Sequence, residues 1–417
     1  MTIDVLVIGA GPAGLAAALE LRRQGVERVL IADREPDAGG VPRHCAHTGF
    51  GLRDLRRVLT GPAYASRYAD AAVRAGADLR PGTTVTQLTG DLQATLTSPA
   101  GIEEVNARAV LIATGCRERP RSARLIPGDR PEGVLTTGEL QQRVLLGERQ
   151  PGGALIVGAE HVSFSAILTL AHAGARVIAL VTSEPRHQSY AAFRLGALAG
   201  WRVPVWTSTR VTRIVGRDRL ESVEVTDLRT GAVRRVECQT LVFTGDWIPD
   251  HELARLAGIA MSARTAGPVV DTALHTSFPG VFAAGNVIHA AETADVAALS
   301  GRHAAGQIAA FLRQPVVAGG PVGAGCSAHP GVPIDVAAPL TWIAPNAINP
   351  ERTPPPRNCF VLRSEGPRRI ATLEVRQDGR LLAARRSRLM PARSITLSAG
   401  WIADVDPAGG SIQVIAH

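Results

Sequence analysis

The chain opens on an apolar run, a glycine turn, a helix pattern and a second apolar run that ends in an acid: DVLVIGAGPAGLAAALELRRQGVERVLIAD. Few folds accommodate that order. Gly9, Gly11 and Gly14 are spaced G-x-G-x-x-G. The first glycine permits a tight turn, the second lets backbone approach a pyrophosphate, and the third lets helix and strand pack closely. Free N–H groups and the dipole at the helix N-terminus then favour a diphosphate. Asp33 follows Gly11 by 22 residues (33 − 11) and ends the second strand. A carboxylate there binds a ribose hydroxyl, and Arg34 beside it joins the expected cofactor-binding set. A tight strand–helix turn without any ligand gives the same glycine spacing. Here a strand precedes it, a helix follows and Asp33 answers it, so dinucleotide binding is expected.

Composition narrows the classes. With 417 residues, 45% of them hydrophobic, the chain suits two or three domains with real cores. The first strand begins at Ile3, which leaves no room for a signal peptide, and no apolar run approaches membrane-spanning length. A cytoplasmic protein is expected. Cys45, Cys116, Cys238, Cys326 and Cys359 form no CxxC or CxxxxC pair, so neither a metal site nor a redox disulfide has a basis in spacing. Mostly buried, reduced thiols are the plainer expectation. All 45 basic residues are arginine, which removes lysine Schiff bases and lysine general bases. The net charge is +8, and from Glu351 to His417 eleven Arg face six acids, a surplus of +5 (11 − 6). That surplus suits either an acidic partner or a solvated basic surface. No nucleic-acid motif accompanies it.

Along the chain, residues 1–118 read as the first part of a dinucleotide-binding domain. Within it Gly51 to Ala75 looks helical and PGTTVTQL looks like a strand. A connector rich in Pro, Gly and Arg leads into a second βαβ unit, and 119–264 is taken as a second, inserted Rossmann-like domain. Residues 265–314 return to the first domain. A Pro/Gly-rich stretch, QPVVAGGPVGAGCSAHPGVP, marks a boundary. Beyond it, 315–417 comprises that linker and a small β-rich C-terminal domain, with turn signals at Asp378-Gly379 and Gly409-Gly410 that suit short antiparallel strands. The fold class is therefore α/β: two three-layer dinucleotide-binding domains, the second inserted in the first, plus the β-rich end.

The second βαβ unit carries an altered motif. In ALIVGAEHVSFSAIL the three glycine positions are Gly158, Glu160 and Ser163. Glu160 adds bulk and negative charge where a diphosphate would sit, and desolvating two like charges together is unfavourable. The next strand ends in Val181, Thr182 and Ser183, so no acid marks a ribose. Arg186 and His187 suit either an adenylate phosphate or a solvated loop. The nucleotide-binding fold is expected to survive there without its usual NAD(P) ligand.

Four segments together resemble flavoproteins with two dinucleotide-binding domains, of the pyridine nucleotide–disulfide oxidoreductase type. TSFPGVFAAGN resembles the strand that ends under the ribityl chain of FAD, with Asn286 where those families usually have Asp; Asn still hydrogen-bonds a hydroxyl. Ala113, Thr114 and Gly115 match their A-T-G turn, and Gly245 and Pro249 lie around a second such turn. The resemblance implies bound FAD, held also by Gly285, by Gly40 of the Gly39-Gly40 pair and by the backbone of Val85 at the adenine. The helix after Asn286 would aim its N-terminus, with Glu292 and Thr293, at the flavin pyrimidine, where the dipole favours an anionic reduced ring. Both residues equally suit helix capping.

The same families place two cysteines after the glycine pair; here those positions are Pro42 and His47. The disulfide is absent and His47 takes the place nearest the isoalloxazine, with Arg43, His44 and Cys45 beside it. An imidazole there suits proton abstraction, Arg43 suits a carboxylate clamp, and contacts to FAD phosphates or a helix cap account for the cluster equally well. GGVPRHCAH, QSYAAF and FTGDWIPDHELA narrow the likeness to FAD-binding subunits of heteromeric opine, proline and amino-acid dehydrogenases and hydrogen cyanide synthase, over about Thr2 to Phe311. Many of these append a [2Fe–2S] domain; Cys326 and Cys359 are too few for one. The resemblance implies oxidation of an amine, imine or amino-acid substrate, with electrons passed through FAD to an acceptor or a partner subunit. Two alternatives stay open: an NAD(P)H-dependent flavin reductase, and a non-catalytic nucleotide-binding subunit. No metal is expected.

Overall fold

The computed structural model describes residues 1–189, 200, 202–314, 331–366 and 368–417. The chain divides into two compact units. The first comprises Met1–Arg43, Thr48–Arg117 and Ile248–His417; the second comprises His44–His47 and Glu118–Trp247.

The first unit is built on a seven-stranded sheet. Its order is Asp78–Arg80, Val29–Ala32, Thr2–Ile8, Gly101–Ile112, Gln93–Ser98 and Thr84–Leu88, with Val281–Ala283 also pairing Gly101–Ile112. The four central pairings are parallel. Thr2–Ile8 is buried from Ile3 onward, as an apolar run covered on both faces should be. The helices Pro12–Arg23 and Ala294–Leu312 cross at Gly301, where an added Cβ would stand 2.0 Å from the Ala13 carbonyl oxygen. Only a glycine admits that approach.

The expected long helix from Gly51 is shorter: it runs Gly61–Arg74. Thr60 caps it, accepting from Ala63 N at 3.4 Å, and Pro62 occupies the first turn, where its missing N–H costs nothing. The residues before it pair instead as two short strands, Thr48–Phe50 and Leu59–Thr60.

The second unit holds a parallel sheet in the order Val134–Thr136, Thr240–Phe243, Gly152–Val157, Ala175–Val181 and Val205–Trp206. One face packs on Leu140, Phe164, Ile167 and Leu170, the other on Val211, Ile214, Val223 and Val225 from an antiparallel three-stranded sheet. The chain rejoins the first unit at Ile248, earlier than the expected Thr265, because the helix Glu252–Leu256 buries Ala254 in the first unit's core.

Residues 331–417 form two small sheets over their own core of Phe360, Leu373, Trp401 and Val414. Asp378 and Gly379 both adopt positive φ (48° and 81°), the two-residue turn that joins Arg368–Gln377 to Arg380–Leu389. Gly409-Gly410 does not make a second hairpin. It leads into the last strand, and Gly410 N donates to Asp378 Oδ2 at 3.0 Å. That strand pairs in parallel with Val332–Val336, which alternation alone does not reveal. The Pro/Gly-rich linker and Cys326 lie outside the described residues, as does most of QSYAAF. Among the described residues, no helix is long and apolar enough to cross a membrane.

Two glycines of one helix give opposite expectations. Gly301→Ala should destabilise by about 1–3 kcal/mol, since its Cβ has no room. Gly306, whose Cβ would meet nothing within 4 Å, should gain about 0.5–1 kcal/mol as Ala. Urea midpoints of the two variants should shift in opposite directions.

Candidate functional site

The first glycine turn follows from close backbone contacts. Gly9 holds φ +107°, and a Cβ there would lie 2.5 Å from Ala113 O; at Gly14 it would lie 1.9 Å from Gly9 O. At Gly11, by contrast, an added Cβ meets nothing within 4 Å. Two glycines close the turn and the middle one faces open space at the start of the helix Pro12–Arg23. That is the cradle a diphosphate needs. Gly40 backs it, with its would-be Cβ 3.0 Å from Gly11 Cα, and Gly39 N donates to Ala10 O at 2.7 Å. The glycine pair therefore belongs to the same cradle.

Asp33 is anchored from both sides. Its Oδ2 accepts from Ala10 N at 2.5 Å and its Oδ1 from Glu35 N at 2.8 Å. Each oxygen keeps a further lone pair able to accept a hydrogen bond. Arg34 is drawn elsewhere: its Nη2 pairs with Asp250 Oδ2 at 2.9 Å. Val85 is buried and pairs with Leu96 in the antiparallel edge of the sheet. Thr83 N donates to the backbone Asp33 O at 2.8 Å, so the strand that carries Val85 starts beside Asp33.

The A-T-G turn is tied to the second one. Thr114 Oγ1 donates to Asp250 O at 2.6 Å, and Asp250 N returns a bond to Gly115 O at 2.9 Å. Ala113 N donates to Ile8 O at 2.8 Å, which sets this turn against the first strand. The Asp250 carboxyl is pushed up by burial, while Arg117 holds that of Glu252 down to about 2.

At the ribityl-end motif, Gly285 has φ +75° and a would-be Cβ 2.8 Å from Ala13 Cβ. Asn286 spends its amide on the following loop: Nδ2 donates to Glu292 O at 3.1 Å and Oδ1 accepts from Glu292 N at 2.9 Å. One amide hydrogen and one lone pair are left for a hydroxyl. Thr293 stands at the N-cap of Ala294–Leu312 without capping it by side chain; its hydroxyl donates to Asp295 and accepts from Arg53 Nη1 at 3.0 Å.

The polar segment after the glycine pair divides. Arg43 lies in ion pairs with Glu35 (3.6 Å) and Asp37 (3.4 Å) of the preceding acidic loop. Cys45 and His47 share one network of the second unit. Cys45 Sγ donates to Gln141 Oε1 at 3.4 Å, Gln141 Nε2 donates to Ser165 Oγ at 3.0 Å, and His47 Nε2 stands 2.7 Å from the same Ser165 oxygen. Burial pushes the Cys45 thiol up to about 12. At neutral pH it is a hydrogen-bond donor and not a thiolate nucleophile. Gln141 and Ser165 carry no motif, and only their helical neighbourhood brings them to His47.

The second nucleotide cradle is closed by its own side chain. Glu160 stands at the N-cap of His161–His172, and its Oε2 accepts from Ala159 N at 2.9 Å. The equivalent N–H of the first turn, Ala10 N, is also held by a carboxylate, that of Asp33; the difference is that Glu160 itself stands in the place of the middle glycine. Its other oxygen, Oε1, is buried without a hydrogen-bond partner and lies 3.3 Å from the position a Cβ on Gly245 would occupy. Ser163 replaces the third glycine and bonds Thr244 Oγ1 at 2.7 Å through its hydroxyl. Gln188 N donates to Ala159 O at 2.9 Å, so the following loop also folds back on the turn.

Gly11→Glu would place in the first cradle what Glu160 places in the second. The purified variant should be colourless, while the unmodified chain carries flavin. Equal flavin absorbance in both would refute the assignment of the first cradle.

The family model described as pyridine nucleotide-disulphide oxidoreductase matches residues 3–301. The chain is similar to an opine oxidase subunit of Rhizobium meliloti, 27% identical over 72% of this chain and 61% of the relative. It thus spans about three-fifths of that relative's length. It is also similar to a ferredoxin–NADP reductase of Frankia alni, 30% identical over 68% of this chain and 86% of the relative. In fold it matches the crystal structure of T. acidophilum thioredoxin reductase with a TM-score of 0.63, 22% identity, and coverage of 74% of this chain and 98% of that one. Cradle, family match and fold agree: the chain belongs to the pyridine nucleotide-disulphide oxidoreductase family and is an FAD-dependent oxidoreductase.

Proposed function

We propose that the protein oxidises an amine, imine or amino-acid type substrate and passes the electrons through FAD to an acceptor or a partner subunit. The observation that carries this reading is Glu160 at the start of His161–His172, where the first cradle has Gly11 and open space, with its carboxylate held in the turn. It disfavours a pyridine nucleotide as the electron source, which leaves a substrate of another kind. Similarity to the opine oxidase subunit of Rhizobium meliloti supports both the substrate class and a heteromeric assembly. A cytoplasmic location fits this reading.

In this reading Gly9, Gly11, Gly14, Gly40, Asp33, Val85, Ala113, Thr114, Gly115, Gly285, Asn286 and Thr293 hold or shape the FAD site. Bound FAD supplies a two-electron acceptor. His47 accepts the substrate proton, its ring oriented at Nε2 by Ser165. Cys45 holds Gln141 in place as a thiol, and Arg43 orders the acidic loop after Asp33. A second reading, a reductase fed by NAD(P)H, draws on the Frankia alni relative and on the retained parallel sheet. A third, a non-catalytic subunit, is favoured by no particular contact.

Anaerobic mixing of the flavin-loaded protein with a panel of amines, amino acids, NADH and NADPH tests this. An amine or amino acid should bleach the flavin faster than either nucleotide. His47→Ala should keep its flavin and slow that bleaching by about 10²–10⁴-fold. Faster reduction by NADPH than by every amine tried would promote the reductase reading.

A further inference from the structure

The loop after Asn286 is held from the C-terminal domain, within the first unit. Arg363, on the strand Cys359–Ser364, places Nη2 3.6 Å from Glu292 Oε1 and donates from the same nitrogen to Ala291 O at 2.9 Å. Ser394 also donates to the Glu292 carboxylate. The Arg363 guanidinium lies 5.8 Å from the Trp342 ring centre, and Trp342 in turn packs on His289 with ring centres 4.8 Å apart. Residues 289, 291 and 292 are thus all gripped by C-terminal strands, while Glu292 closes on Asn286 through its own backbone. The Arg363 and Glu292 side chains are only 13% and 11% exposed. Burial holds the Arg363 guanidinium below its ordinary range, against the opposing pull of Glu292.

A buried pair of this kind has a specific consequence. While both charges are present they largely cancel at a distance. Removal of one leaves a full unit of charge in a poorly screened place. Asn286 ends the motif assigned to the ribityl end of FAD, and Glu292 precedes the helix whose start is expected at the flavin pyrimidine, so that charge would be felt by the flavin as it gains electrons.

We propose that Glu292 and Arg363 are positioning residues by which the C-terminal domain fixes Asn286 and sets the reduction potential of the flavin. The proposal rests on the assignment of Gly285 and Asn286 to the FAD site. A purely structural tie would predict weaker folding in either variant and no ordered shift in potential. An electrostatic device predicts opposite signs.

The test is the flavin midpoint potential of the FAD-loaded full chain, measured for the unmodified protein, Arg363→Gln, Glu292→Gln and the double variant. Arg363→Gln leaves the carboxylate unbalanced and should favour oxidised flavin by on the order of tenfold, which is about 30 mV downward for a two-electron couple. Glu292→Gln, nearly isosteric, leaves the guanidinium unbalanced and should shift the potential upward by a similar amount. The double variant should return close to the unmodified value. Potentials that stay put, or move in the same direction in both single variants, overturn the proposal. If Arg363→Gln does not fold, Glu292→Gln decides alone: an upward shift supports the device and any other result ends it. An unmodified chain that binds no flavin at all would instead refute the FAD-site assignment, which the absorbance of the same samples reports.

Discussion

The first unit depends on one constraint, the approach of bare backbone around Ala13. A Cβ on Gly14 would meet Gly9 O at 1.9 Å, one on Gly301 would meet Ala13 O at 2.0 Å, and one on Gly285 would meet the Ala13 side chain at 2.8 Å. The N-terminal turn, the turn at Gly285 and the helix Ala294–Leu312 converge on this one place. The first strand, its helix and the long helix Ala294–Leu312 can then share one core, and the N-terminus of the first helix stays open beside Gly11. What marks this cradle is the missing Cβ at Gly11, where an added one would meet nothing within 4 Å at the start of the helix.

The second unit repeats the geometry of the turn but puts a charged side chain in the place of the middle glycine. Its glycine turn keeps Gly158 at φ +140° and its sheet keeps the parallel order, yet Glu160 supplies an internal anion to the turn. A diphosphate would meet the Glu160 side chain where the first cradle has only Gly11, and would face its carboxylate as a like charge. The fold persists because Ser163 and Thr244 bond each other in the space that a glycine would leave to close packing. A nucleotide-binding architecture and an occupied anion position therefore coexist in one domain.

Much of this was legible in the sequence where chemistry is local. Gly9, Gly11, Gly14 and Asp33 announced the first cradle, Glu160 announced the altered second one, and Asp378-Gly379 announced a hairpin. Contacts between distant segments were not legible. Nothing near His47 signals Ser165, 118 residues away, and nothing near Glu292 signals Arg363 or Ser394. Arg34 and Arg43 illustrate the same limit: each looked available to a ligand, and each pairs with a carboxylate that only the fold brings near. The helix expected from Gly51 failed for a local reason, since Thr60 and Pro62 start it ten residues later.

The central claim is that two copies of one cradle differ in whether a dinucleotide can enter. Calorimetric titration of the FAD-loaded chain with NADPH and NADH addresses it directly, beside a Glu160→Gly/Ser163→Gly variant. The unmodified chain should show no saturable binding tighter than about 1 mM, and the variant should gain a measurable isotherm. Micromolar binding by the unmodified chain, or no gain in a folded variant, would contradict the account.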